Sequence, residues 1–335
     1  MRRLCLMIVS MLIVVSTSAQ LQFNDRGEFK IVQFTDAHLR DDRPDQAILT
    51  LNRLKWIIDT EQPDVVIFTG DAVTDRRAAM SWRSLLDITA RTETPFVVVL
   101  GNHDLEQDLT AEELAMLITS YPNTLNRAED GTLDDLAIEV LSSNGERVAA
   151  LLYCLDSQDY STIEGVGGYG WIKHDQVAWY RTTSSLYTED NGGIPLPAYA
   201  FFHIPLPEYR DAADRNSKLL IGERGEDECA PELNSGMYLS MLEMGDVVAT
   251  FVGHDHNNNY AVPYHDIALV YGHYSGDNTV YNNLYRGVRV IKLTEGERDF
   301  ETWVTDDRPR NRGQKRDHVR FNTGKKRFDI LKEYN

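Results

Sequence analysis

Five short polar clusters carry the residue types that hold divalent cations. They are Asp36-Ala37-His38, Gly70-Asp71, Gly101-Asn102-His103-Asp104, His203, and Gly253-His254-Asp255-His256. Asp, Asn and His offer carboxylate, amide-oxygen and imidazole donors, a set suited to Mn, Fe or Zn. No cysteine stands among them, which argues against a structural zinc site. One carboxylate has two oxygens and can bridge two cations. A pair of divalent ions about 3.5–4 Å apart binds a phosphoryl group, lowers the pKa of a bound water and stabilises the leaving oxygen. Singly, each cluster is weak: Gly-Asp is ordinary turn chemistry, and a lone histidine says almost nothing. Together they are strong, because each follows an apolar run. The other histidines, His174, His265, His273 and His318, fit no such spacing and are expected in ordinary surface or core roles.

The elements that position these clusters can be read from periodicity. Residues 29–35, 64–69 and 95–100 read as strands, and 46–60, 81–91 and 111–120 as helices. That βαβαβα order implies a largely parallel sheet with right-handed crossovers. Residues 136–141 and 148–155 flank Asn144-Gly145, a hairpin signal. A helix is expected over 174–186, and strands over 198–202, 247–252, 267–271, 288–293 and 300–304. Two packed sheets with helices outside would use all of them. The five clusters then lie beyond the ends of strands, where ligands collect in α/β sheets. Glycines before Asp71, Asn102 and His254 let the backbone turn sharply into one cavity.

Composition narrows the classes. A hydrophobic fraction of 42% in 335 residues fills a real core. No repeat points to a solenoid. The formal charge of −18 argues against general nucleic-acid binding. The chain has no Gly-x-Ser-x-Gly elbow, Walker loop or Gly-x-Gly-x-x-Gly fingerprint. The glycine-rich stretch 165–170 follows an acidic residue instead of a strand, and is expected to be a mobile loop near the site. Arg2 and Arg3, an apolar run over 4–15, and Thr17 and Ala19 read as a secretory signal peptide over 1–19, cleaved after Ala19. An uncleaved N-terminal anchor is the alternative. No later segment approaches the roughly twenty apolar residues of a membrane helix. The mature protein is therefore expected to be periplasmic or extracellular, with its domain over 25–307 and a basic, solvated C-terminal tail over 308–335. Cys154 and Cys229 remain after cleavage, and the sequence leaves their pairing open.

These clusters resemble the signature of the calcineurin-like metallophosphoesterase family, and every block of it is intact from Asp36 to His256. Residues 202–208, 253–258 and 168–179, with Gln176 and Trp179, and Arg286-Gly287-Val288-Arg289 are similar to its purple-acid-phosphatase-related branch. The resemblance implies an α/β fold, an αββα sandwich of two mixed β-sheets flanked by helices. It implies two divalent metal ions, Mn, Fe or Zn. Asp36, His38 and His256 would hold the first, Asn102, His203 and His254 the second, and Asp71 both. His103 would stabilise the phosphoryl transition state or protonate the leaving oxygen, with Asp104 orienting it. The implied activity is hydrolysis of phosphate mono- or diesters by a water activated between the metals. The alternative is a non-catalytic binding module on the same fold, which would be expected to have lost a ligand; none is missing. Purple acid phosphatases carry a tyrosine where this chain has Thr74, and lack the histidine at His38. A ferric tyrosinate is therefore not expected, although Tyr153, Tyr160 or Tyr169 could reach the site through the fold. Nucleotides, phosphoproteins, sugar phosphates and cyclic phosphodiesters all remain open as substrates.

Overall fold

The computed structural model of the chain describes residues 20–106, 108–278, 284–309 and 315–331. The expected signal peptide over 1–19 lies outside the described residues. Apolar stretches rich in β-branched residues form the sheet centres: β2 (Glu28–Phe34), β3 (Val65–Thr69) and β4 (Phe96–Val99) pair in parallel. Their near-continuous apolar sequences suit strands covered on both faces. The crossovers are α1 (Pro44–Glu61) and α2 (Ala78–Ala90), and α3 (Ala111–Thr119) follows β4. Helix α1 opens with Pro44 in its first turn and ends on Gln62 in a left-handed conformation. Helix α3 opens with a capping box between Thr110 and Glu113.

The second half supplies β5 (Leu136–Leu141), β6 (Val148–Cys154), α4 (His174–Asp190), β7 (Ala198–Phe201), α5 (Glu208–Arg215), α6 (Met237–Met244) and β8 (Val247–Val252). Then come β9 (Ala261–Tyr264), β10 (Ile267–Tyr271), β11 (Gly287–Thr294), β12 (Phe300–Asp306), β13 (Lys315–Asn322) and β14 (Arg327–Ile330). With β1 (Leu21–Gln22), one sheet runs β1-β5-β6-β7-β8-β10-β9 and the other β14-β13-β12-β11-β2-β3-β4. Both are mixed. Ile31, Ile67 and Val97 meet Leu152, Phe201 and Val270 between the sheets. Leu54, Trp82 and Leu114 cover one outer face, and Tyr180, Tyr209 and Met241 the other. The layers are thus helix, sheet, sheet, helix.

The Asn144-Gly145 turn does join β5 to β6 as an antiparallel pair, with Gly145 at φ +73°. Cys154 is buried and Cys229 exposed, both as free thiols. Among the described residues no helix is long and apolar enough to cross a membrane.

The basic segment over 308–335 departs from expectation. Its described residues do not form a solvated tail, because β13 pairs with β12 and β14 with β13. Val319, Phe321 and Phe328 join the inter-sheet core, while Arg320 pairs with Asp299 and Glu297 and Arg316 with Asp306. Arg316 and Arg320 are thus neutralised from the neighbouring strand and the turn before it, and the apolar residues of β13 point inward. Helices α5 and α6 and strand β9 were also not legible. The two helices are eight residues each, and β9 is an edge strand carrying Pro263.

Candidate metal centre

The five clusters converge. Asp36 and His38 follow β2, Asp71 follows β3, and Asn102 and His103 follow β4, all in one sheet. His203 follows β7, and His254 and His256 follow β8, in the other. The site therefore straddles the seam between the sheets. The loops after β2 and β3 are laced by Asp36 N–H to Gly70 C=O (3.0 Å) and His38 N–H to Asp71 C=O (2.9 Å). Asp36, His38, Asp71 and His254 all sit at positive φ, between 45° and 75°. Four non-glycine residues in that region cost conformational energy, which the surrounding hydrogen bonds must hold. Two glycines are required by close approach. A Cβ on Gly101 would lie 2.3 Å from Asp71 Oδ1, and one on Gly253 would lie 1.9 Å from Thr35 Oγ1.

The donor atoms form two groups that share Asp71: Asp36, His38, Asp71 and His256, and Asp71, His203 and His254. His38 Nε2 stands 3.1 Å from His256 Nε2 and 3.6 Å from Asp71 Oδ2. His203 Nε2 stands 3.3 Å from both Asp71 Oδ2 and His254 Nδ1. Ligands at about 2.0–2.2 Å from a metal lie roughly 3.0–3.5 Å from one another, so this spacing fits an ion. The Oδ1 of Asn102 is buried with no hydrogen-bond partner, an orphan acceptor that a cation would satisfy. Its Nδ2 donates to Tyr160 Oη at 3.2 Å, which settles which end of the amide faces the centre. His203 donates from Nδ1 to the Thr69 carbonyl (2.8 Å), so Nε2 is the end left for a metal.

Electrostatics points the same way. Asp36 and Asp71 remain ionised despite burial, held low chiefly by the neighbouring imidazoles. Burial would lower the His203 pKa, but the Asp71 charge overrides it and pushes it up to about 10. Burial and the His203 charge drive His254 down to about 3, and burial lowers His38. Two carboxylates and one imidazolium leave a buried excess of negative charge, which favours cations.

Asp104 does not orient His103. Its Oδ1 accepts from the N–H groups of Ala72 (2.9 Å) and Val73 (3.1 Å), and its Oδ2 from Gly101 N–H (2.8 Å). The carboxylate thus clamps the loop after β3 to the loop after β4. His103 Nδ1 instead meets Glu106 Oε2 at 2.6 Å, and Tyr160 Oη donates to Glu106 Oε1 at 2.7 Å. Neither contact was read from the sequence. Glu106 stands three residues beyond His103, a usable signal, whereas nothing in the spacing pointed to its bond with Tyr160. Burial would lower the His103 pKa, but the charges of Asp71 and Glu106 raise it.

The 165–170 loop is at the site: Tyr169 packs 4.3 Å from the His254 ring and stacks on Tyr160 at 5.8 Å. Tyr153 is remote, donating to Asp246. Gln176 donates to Asp135 and to the Asp156 carbonyl, bracing α4 on the loop after β6. Arg289 donates to the Tyr271 carbonyl, the Asn259 carbonyl and Thr302 Oγ1, tying the two sheets. His174 and His265 are exposed, His318 pairs with Glu301, and His273 is buried against Asn259 and the Tyr285 carbonyl.

The family model described as calcineurin-like phosphoesterase matches residues 29–258. An Arabidopsis thaliana protein named probable inactive purple acid phosphatase 29 is 31% identical over 286 residues, covering 76% of this chain and 73% of its own length. Phosphatase DCR2 of Saccharomyces cerevisiae is 31% identical over 326 residues, covering 86% of this chain and 56% of its own. A dimetal phosphatase from Danio rerio superposes with a TM-score of 0.57 at 13% identity, covering 82% of this chain and 95% of that one. A purple acid phosphatase from yellow lupin seeds gives 0.52 at 12% identity, covering 90% and 54%. These two structural likenesses speak to the αββα fold.

Proposed function

The chain belongs to the calcineurin-like phosphoesterase family, and from that premise we propose that it is an exported, metal-dependent hydrolase of phosphate mono- or diesters. The observation that carries this reading is the pair of donor groups sharing Asp71, with the orphan Asn102 Oδ1 beside them. Asp36, His38 and His256 would hold one divalent ion, and Asn102, His203 and His254 the other, with Asp71 to both. Such ions, Mn, Fe or Zn, would supply the charge that acidifies a water and neutralises the phosphoryl oxygens. Thr74 in place of a tyrosine, and Tyr160 Oη engaged by Asn102 and Glu106, favour divalent ions over a ferric tyrosinate.

The chain's own groups do the rest. The Thr69 carbonyl fixes the tautomer of His203, and Thr35 Oγ1 donates to Asp36 Oδ2 at 2.6 Å. His103, with Nδ1 occupied by Glu106, offers Nε2–H to the leaving oxygen. The sequence over 1–19 supports export. N-terminal sequencing of secreted protein that begins elsewhere than Gln20 would count against that cleavage.

The test is turnover of p-nitrophenyl phosphate and its bis-ester by the purified protein. Chelation should abolish it, and Mn, Zn or ferrous iron should restore it. Protein carrying two ions per chain that hydrolyses no mono- or diester would overturn the proposal. One finding favours a second reading, a metal-bound module that binds phosphate esters without cleaving them: the word "inactive" in the names of Arabidopsis relatives. Calorimetric ester binding with no product formed would establish it.

A further inference from the structure

A continuous hydrogen-bonded path joins the proposed acid to the second metal position. Asn102 Nδ2 donates to Tyr160 Oη (3.2 Å), Tyr160 Oη donates to Glu106 Oε1 (2.7 Å), and Glu106 Oε2 faces His103 Nδ1 (2.6 Å). A carboxylate only accepts, so His103 must donate from Nδ1. Every donor on the path meets an acceptor, with Tyr160 Oη accepting from Asn102 and donating to Glu106. Tyr160 is fixed from behind by stacking on Tyr169, which packs on the His254 ring. The His103 ring lies 5.8 Å from that of His38, so the path ends over the metal centre. The aspartate that follows His103 in sequence is fully committed to three backbone N–H groups and is not available for this work.

We propose that Glu106 is the positioning residue that holds the His103 ring with Nε2 turned to the leaving oxygen, and that Tyr160 locks Glu106 to the asparagine of the second metal position. This rests on the hydrolase reading above. In the step it serves, the ester P–O bond breaks and its electron pair stays on the leaving oxygen. The His103 Nε2 proton passes to that oxygen, a water oxygen forms the new bond to phosphorus, and a proton from that water restores His103. Glutamine keeps an acceptor for His103 Nδ1–H and can donate from Nε2 to Tyr160 Oη, so Glu106→Gln removes the charge while Glu106→Ala removes the contact itself.

The experiment compares wild type, Glu106→Gln and Glu106→Ala, zinc-loaded, on dinitrophenyl, p-nitrophenyl and phenyl phosphates. Dinitrophenolate leaves without help from an acid, and phenolate does not. Both variants should keep two ions per chain and stay within about three-fold of wild type on the dinitrophenyl ester, while on phenyl phosphate Glu106→Ala should lose about a hundred-fold and Glu106→Gln, which keeps the acceptor for His103, clearly less. A merely structural role predicts equal losses on all three esters, and that result, or no loss on any, overturns the proposal. Nitrogen NMR of the imidazoles gives a readout independent of turnover: the hydrogen-bonded Nδ1–H of His103 should disappear in Glu106→Ala. If wild type cleaves no ester, the hydrolase reading falls. An unchanged His103 spectrum in the variant separately defeats the positioning by Glu106.

Discussion

Replacing Asp71 by asparagine tests the centre at the residue both metal positions share. Asp71 is 1% exposed and accepts on both sides: Oδ1 from His103 N–H at 2.9 Å, while Oδ2 faces His38 Nε2 and His203 Nε2 at 3.6 and 3.3 Å. An amide has one acceptor and one donor end. With its oxygen on His103 N–H, the NH2 group would point at both proposed metal positions. Flipped, it sets donor against donor, leaving a buried N–H unpaired at about 1–3 kcal/mol. Either way the negative charge that two cations would share is lost. Changing a residue that only orients a ligand costs about 10–100-fold in metal affinity, so a bridging ligand should exceed the upper figure. Metal analysis after dialysis should find fewer than two ions per chain. Turnover of the p-nitrophenyl esters should drop by at least about a thousand-fold, near 4 kcal/mol. Two tightly held ions with near-normal turnover in Asp71→Asn would refute the bridging role.

His203 carries a proton up to about pH 10 as the side chains stand, and a metal ion must displace it. Metal affinity should therefore rise about ten-fold per pH unit through neutrality, with about one proton released in calorimetry across buffers; a pH-independent affinity would contradict this. The same raised pKa stabilises the metal-stripped protein fully below about pH 6.5, a contribution lost as pH rises toward about 10 and measurable by thermal melts. Asp104→Asn turns an NH2 group against at least one backbone N–H and should cost about 1–3 kcal/mol in the unfolding of the metal-free protein; an unchanged melting temperature would show that the clamp is dispensable. Deleting 308–335 removes Val319, Phe321 and Phe328 from the core, about 5 kcal/mol or more at 1.5–3 kcal/mol per side chain. The truncated chain should fail to fold cooperatively, and a soluble, active product would restore the view of this segment as a tail.

The candidate donor residues were legible because their signals are local. A strand reads as an apolar run, and a donor at its end lies within a few residues of it, so Asp36, His38, Asp71, Asn102, His203, His254 and His256 could be named as candidates without coordinates. The αββα layering followed from element order and from the family likeness. Register and pairing across long separations were not legible in that way. Lys315–Asn322 looks basic and solvated along the chain. Its pairing with β12 and β14, the acids of β12 and of the turn before it, and the Phe300 ring hold it as a strand.

By itself the sequence determined which side chains gather at the strand ends and what chemistry their donor atoms allow. Tertiary structure decided which partner each of those side chains meets. Asp104 and Glu106 stand two residues apart and both lie near His103, yet one clamps three backbone N–H groups and the other receives the imidazole. Residue type could not separate them, since either carboxylate accepts from either donor. The choice was made by the close approach of the loops after β3 and β4, which brings unpaired N–H groups to Asp104, and by Tyr160, 54 residues along the chain from Glu106, which holds the second carboxylate against His103.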